Sequence, residues 1–146
     1  CPLMDWRLVD RGIEEFFKHD VDYASNTIKP SFANGFDVQV FPVKVLAEVA
    51  ELTQDPIDHI HVSYYIYNHP EKYKLHNWTA NKDCFGPELR VTLDEQADYD
   101  LIKAVYEELY PKNNDFSAAD IVALLRQRPD LVKLNEYVRQ KEISEG

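Results

Sequence analysis

Apolar positions along the chain switch repeatedly between helical and strand-like spacing. Residues 5–18 carry Trp6, Val9, Ile13, Phe16 and Phe17 at helical intervals, with Asp5 placed as an N-cap, so a helix packed on a sheet through that face is expected. Residues 21–26 read as a short strand and residues 27–34 as a loop carrying Pro30. After Gly35, residues 36–41 alternate, with Phe36, Val38 and Val40 on one face and Asp37 and Gln39 on the other. Pro42 suits the first turn of a helix reaching about Leu52. A second helix over residues 56–67 stops at Asn68-His69-Pro70, because the residue before a proline is pushed out of the α region. Residues 73–79 form another expected strand, followed by a polar loop through Asn81-Lys82-Asp83 and Gly86-Pro87.

The most informative run comes next. Arg90-Val91-Thr92-Leu93 alternates polar and apolar as a strand with one buried face should, ends at Asp94, and passes into a helix carrying Leu101, Ile102, Val105 and Leu109. Pro111 ends that helix. Ser117 and Asp120 make a capping-box-like pair ahead of Ile121, Leu124 and Leu125, and a final helix places Leu131, Leu134 and Val138 on one side. Strands alternating with helices give an α/β class, and the length fits one domain, residues 1–146.

An aspartate at the C-terminal tip of a strand has two readings. It is a helix N-cap, or it lies in the crevice where open α/β sheets bind ligands and holds a divalent cation against phosphate oxygens. The pattern by itself favours the cap. Other candidates are weaker. His59 and His61 lie two apart, so on a helix they face differently and cannot share a metal. Nothing around Cys84 marks a lowered thiol pKa, and Tyr64, Tyr65 and Tyr67 read as packing before ligand stacking. The four glycines are scattered, so no glycine-rich phosphate cradle is present.

A net charge of −10 with no basic run repels phosphate backbones and anionic lipid, which argues against nucleic-acid and membrane partners. Two cysteines make neither a disulfide framework nor a paired-cysteine zinc site, and a reducing, cytoplasmic setting is expected. The opening Cys1-Pro2-Leu3-Met4-Asp5 runs at once into a helix, as a fragment entering in mid-motif would.

Five segments, in order, resemble the cytidylyltransferases of the spore-coat polysaccharide biosynthesis type, relatives of the enzymes that make CMP-activated acidic sugars. They are Cys1-Pro2-Leu3-Met4-Asp5, Asp22-Tyr23-Ala24-Ser25-Asn26-Thr27, Gly35-Phe36-Asp37-Val38-Gln39-Val40-Phe41, His61-Val62-Ser63-Tyr64-Tyr65-Ile66-Tyr67 and Leu89-Arg90-Val91-Thr92-Leu93-Asp94. The resemblance implies the C-terminal part of a Rossmann-like, glycosyltransferase-A-like fold, a mixed sheet with flanking helices and a helical tail. It implies a preceding nucleotide-binding half whose last strand ends in Gly-Asp just before Cys1, that aspartate sharing Mg²⁺ with Asp94. Asp94 thus becomes the catalytic metal ligand; Ser25, Asn26, Gly35 and Asp37 face an acceptor sugar; His61 closes the site or reaches a second subunit; Arg90 and Thr92 support Asp94.

The implied reaction is transfer of CMP from CTP to a sugar, in a homo-oligomer, with this chain alone inactive. Where the family shows Arg-Glu-His and then Val-Thr-Pro, His59-Ile60-His61 and Val62-Ser63-Tyr64 stand here, removing a bidentate fork for a carboxylate. A non-catalytic assembly or scaffolding module reusing the same fold is the competing reading. Self-association is expected through an aromatic-rich face made by Phe36, Val38, Val40 and the Tyr64–Tyr67 cluster.

Overall fold

The computed structural model describes residues 1–140. Helix α1 (Trp6–Lys18) leads into strand β1 (Tyr23–Ser25), then β2 (Gln39–Val40), α2 (Val43–Leu52), α3 (Pro56–Ile60), α4 (Tyr64–Asn68) and β3 (Leu75–Asn77). Helices α5 (Gln96–Leu109), α6 (Ala118–Gln127) and α7 (Pro129–Val132) complete the described residues. The three strands form a mixed sheet in the order β2-β1-β3, with β1 antiparallel to β2 and parallel to β3. This is the α/β arrangement with flanking helices that the sequence implied.

Asp5 does cap α1, and it does more. One carboxylate oxygen accepts from the Arg7 backbone N–H at 2.9 Å, and the other reaches the Ala118 N–H at 2.8 Å, tying the start of α1 to the start of α6. The buried face of α1 differs from the expected one. Leu8 and Gly12 face inward, whereas Trp6, Val9, Ile13 and Phe17 are exposed. Close approach decides this: a Cβ at Gly12 would lie 2.7 Å from Val38 Cγ1, so the helix rests on the sheet through its smallest residue.

Several expected elements are shorter than their patterns, the strands expected over 21–26 and 73–79 included, which pair only as Tyr23–Ser25 and Leu75–Asn77. Of residues 36–41 only Gln39–Val40 pairs as a strand, because the buried Asn26 amide occupies the backbone groups ahead of it. Its Nδ2 donates to the Phe36 carbonyl at 2.7 Å and its Oδ1 accepts from the Val38 N–H at 2.8 Å. The helix expected over 56–67 is broken between α3 and α4, where buried Ser63 donates its hydroxyl to Gln39 Oε1 at 2.5 Å. The tail begins with the expected Ser117–Asp120 capping box, but α7 spans only four residues.

Phe36 and Val38 belong to the main core, with Leu8, Trp78, Val91, Leu101, Val105, Ile121 and Leu125. Ile66 belongs to a second cluster with Tyr23, Val45, Val49 and Tyr73, against which Tyr65 and Tyr67 pack. The aromatic contact face expected from these residues is therefore interior, and the exposed apolar stripe lies on α1. Among the described residues no helix is long and apolar enough to cross a membrane.

Candidate active site

The segment ahead of Asp94 is extended but makes a single bridge, Asn34 to Arg90, in place of a ladder. Asn34 donates to the Leu89 carbonyl at 2.9 Å and accepts from the Val91 N–H at 2.7 Å. Pairing stops there because Gly35, at φ +112°, turns the chain away. A Cβ at Gly35 would stand 2.6 Å from the Thr92 nitrogen, so only glycine lets this loop lie on the Val91–Thr92 backbone. Cys1 Sγ lies 3.8 Å from Thr92 Oγ1, placing the first residue of the chain beside the same tip.

Asp94 is not the cap of α5. Glu95 holds that position, and buried Asp98 reaches back to accept from the Asp94 and Glu95 N–H groups, each at 3.0 Å. Arg90, half-buried, clamps Asp98 with two parallel bonds, Nε to Oδ1 and Nη2 to Oδ2, both 2.9 Å. Asn135 Nδ2 adds a bond to Asp98 Oδ1 at 2.8 Å and another to the Arg90 carbonyl at 3.1 Å. Burial would raise the Asp98 carboxyl, but the donors from Arg90, Asn135, Asp94 and Glu95 outweigh it and hold the group well below the usual carboxylate range. Arg90 in turn is raised, chiefly by the Asp98 hydrogen bond.

This buried pair presents Asp94 to solvent. Its carboxylate is 57 % exposed and accepts from Arg90 Nη2 at 2.7 Å through Oδ2. Asp94, Glu95 and Arg90 border a cleft of about 220 Å³ closed on its other side by Val138, Arg139 and Gln140. A second hollow of about 220 Å³ is lined by Asn26, Thr27, Phe32, Asn34 and Asp37, among others. Asn34 joins the two, since its Nδ2 donates to Gln140 Oε1 at 2.7 Å.

The expected site residues divide accordingly. Arg90, Thr92, Asp94 and Gly35 come together at the strand tip, and Asn26 and Asp37 meet in the neighbouring hollow. Asp37 is exposed as a residue, yet protein packed around its carboxyl raises its pKa, with the Gly35 backbone pulling the other way. Ser25 is fully buried and bonds Thr27 Oγ1 at 2.8 Å. His61 ends α3, donates its N–H to the Ile57 carbonyl at 2.8 Å, and borders neither cavity. Burial, then the charges of Asp5 and Asp83, raises the Cys84 thiol, the opposite of nucleophile activation. Asp98, Asn135, Asn34 and Gln140 escaped the sequence reading. The fourfold spacing of Arg90, Asp94 and Asp98 was the available signal.

The donor chemistry present suits a hard divalent cation held mainly by water and phosphate oxygens. Asp94 offers one exposed carboxylate, and Arg90 beside it disfavours a dense all-protein cation cage while suiting anionic oxygens.

The fold and the sequence each have counterparts among longer proteins. The fold matches a cytidylyltransferase structure from Leptospira borgpetersenii serovar Hardjo-bovis with a TM-score of 0.83 at 21 % identity, over 97 % of this chain and 57 % of that one. In sequence the chain is a relative of the spore coat polysaccharide biosynthesis protein SpsF of Bacillus subtilis, 30 % identical over 131 residues, 88 % of this chain and 52 % of SpsF. The uncharacterized protein MJ1063 of Methanocaldococcus jannaschii is 25 % identical over 144 residues, 99 % of this chain and 57 % of its own. The chain thus spans about half the length of these relatives. No family model matches it.

Proposed function

We propose that this chain is the acceptor-sugar and metal-side part of a cytidylyltransferase that transfers CMP from CTP to a sugar for surface or spore-coat polysaccharide biosynthesis. The observation that carries the reading is Asp94, freed from capping α5 and held out to solvent by the buried Arg90–Asp98 pair. In the reaction a sugar hydroxyl oxygen bonds to the α-phosphorus of CTP, the bond from that phosphorus to the bridging oxygen breaks, pyrophosphate leaves, and the hydroxyl proton passes to solvent. Mg²⁺, when bound, neutralises charge on the triphosphate oxygens.

Asp94 is the ligand this chain contributes to that ion. Arg90 orients it, and Thr92 and Gly35 fix the backbone around it. Asn26 and Asp37 border the hollow where the sugar sits, while Ser25 supports that wall from inside and His61 faces a second subunit. Nothing in these residues is a triphosphate cradle, so the chain alone releases no pyrophosphate from CTP, and a nucleotide-binding half completes the enzyme. A soluble, cytoplasmic homo-oligomer meeting through the α1 stripe of Trp6, Val9, Ile13 and Phe17 completes the proposal. At the relatives' full length, Asp94→Asn is expected to abolish most turnover with the fold intact. Near-normal turnover at limiting Mg²⁺ would make Asp94 structural.

A further inference from the structure

Glu15 lies in the last turn of α1 and His19 caps that helix at its C-terminal end, and His76 projects beside them from β3. One donor atom from each of the three lies within 4.8 Å of the other two. His76 Nε2 is 2.9 Å from Glu15 Oε2, His19 Nδ1 is 3.7 Å from that same oxygen, and the two imidazoles stack with centroids 3.8 Å apart. All three side chains are partly exposed, at 20 to 37 %. Solvent therefore reaches the cluster.

We propose that Glu15, His19 and His76 form a divalent transition-metal site, of the two-histidine, one-carboxylate class that suits Zn²⁺ with a water in the remaining position. The donor set is that of open zinc sites. One orientation feature is already in place. His19 Nδ1 lies 2.8 Å from the Glu15 carbonyl, so a proton donated there leaves the Nε2 lone pair for a metal, the carbonyl–imidazole arrangement common behind ligating histidines. Metal entry parts the stacked rings by rotation about their χ2 bonds and replaces the His76–Glu15 hydrogen bond with ligation. Helix α1 is about 20 Å long, so the site stands at the end opposite Cys1 and Thr92. Its role is to clasp α1 to β3, separate from the chemistry at Asp94.

Zinc titration of the purified 146-residue chain against a chromophoric chelator, with imidazole proton resonances followed by NMR, tests this. One Zn²⁺ per chain is expected, with the His19 and His76 signals shifting together and the melting temperature rising. Affinity is expected to fall about tenfold or more in His76→Ala and in Glu15→Gln, while His59→Ala/His61→Ala binds as the parent does. The NMR arm reads the parent chain, so it stands even if His76→Ala fails to fold. Absence of stoichiometric binding, unshifted His19 and His76 signals, or loss of binding in the His59→Ala/His61→Ala control would overturn the site.

Discussion

Replacing Asp98 by asparagine tests the frame that presents Asp94. The carboxylate accepts five hydrogen bonds, from Arg90 Nε and Nη2, Asn135 Nδ2 and the Asp94 and Glu95 N–H groups. An amide has one oxygen, so whichever way it turns, at least two donors meet an NH₂ group. The best placement keeps the acceptor toward Arg90 Nη2, Asp94 and Glu95 and sets the NH₂ against Arg90 Nε and Asn135 Nδ2. Breaking a buried ion pair from one side costs about 3–5 kcal/mol, because the remaining charge stays buried. Such a loss lowers the melting temperature by roughly 10 °C in a domain of this size. The Asp98 pKa is depressed on folding, so its contribution is fully present above the unfolded carboxylate value and is lost as pH falls toward the folded one. The stability gap between parent and Asp98→Asn should be flat near neutrality and narrow below about pH 4. Urea unfolding followed by Trp6 and Trp78 fluorescence measures it, and Arg90→Met combined with Asp98→Asn should cost less than the two singly. A gap under about 1 kcal/mol, or one unchanged through the acid range, would refute the reasoning.

Gly35→Ala combines a positive φ with a Cβ placed 2.6 Å from the Thr92 nitrogen, so about 2 kcal/mol or more of destabilisation is expected in the same urea assay; a loss within about 0.5 kcal/mol would show that the loop is free to move off the strand. Phe17, 80 % exposed on the α1 stripe, is expected to drive self-association, so Phe17→Glu should convert the light-scattering mass to that of a monomer. A parent chain that is already monomeric at micromolar concentration would contradict that role.

What the apolar pattern conveyed well was the order of the helices and of the three sheet strands, because alternation and helical spacing report burial directly; the run that ends at Asp94 is extended as expected but makes one bridge in place of a strand. It misjudged α1, where the strongest apolar stripe is on the outside and the inner face is set by Gly12, a residue that contributes close approach and no hydrophobicity. The break between α3 and α4 and the shortness of β2 were hidden for a related reason. Each depends on one polar side chain acting across the fold: Asn26 occupies the backbone groups of Phe36 and Val38, and Ser63 bonds the Gln39 side chain. Asp98 was missed because its burial is offset by two partners that alternation does not mark: Arg90, two fourfold steps back, and Asn135, far along the chain. Resemblance to the cytidylyltransferases brought Asp94 forward, and the placement of the cap at Glu95 gives that residue its physical freedom.

The role of Asp94 in nucleotidyl transfer is read from pyrophosphate release from CTP, measured at the relatives' full length across a panel of sugar acceptors, with parent and Asp94→Asn compared as Mg²⁺ is titrated. Asp94 is exposed and does not cap α5, so the variant should melt within about 1 kcal/mol of the parent. Release is expected to require CTP, a sugar and the divalent ion together, and to fall about 100-fold or more in the variant at limiting Mg²⁺. Equal release by parent and variant under those conditions would rule that role out.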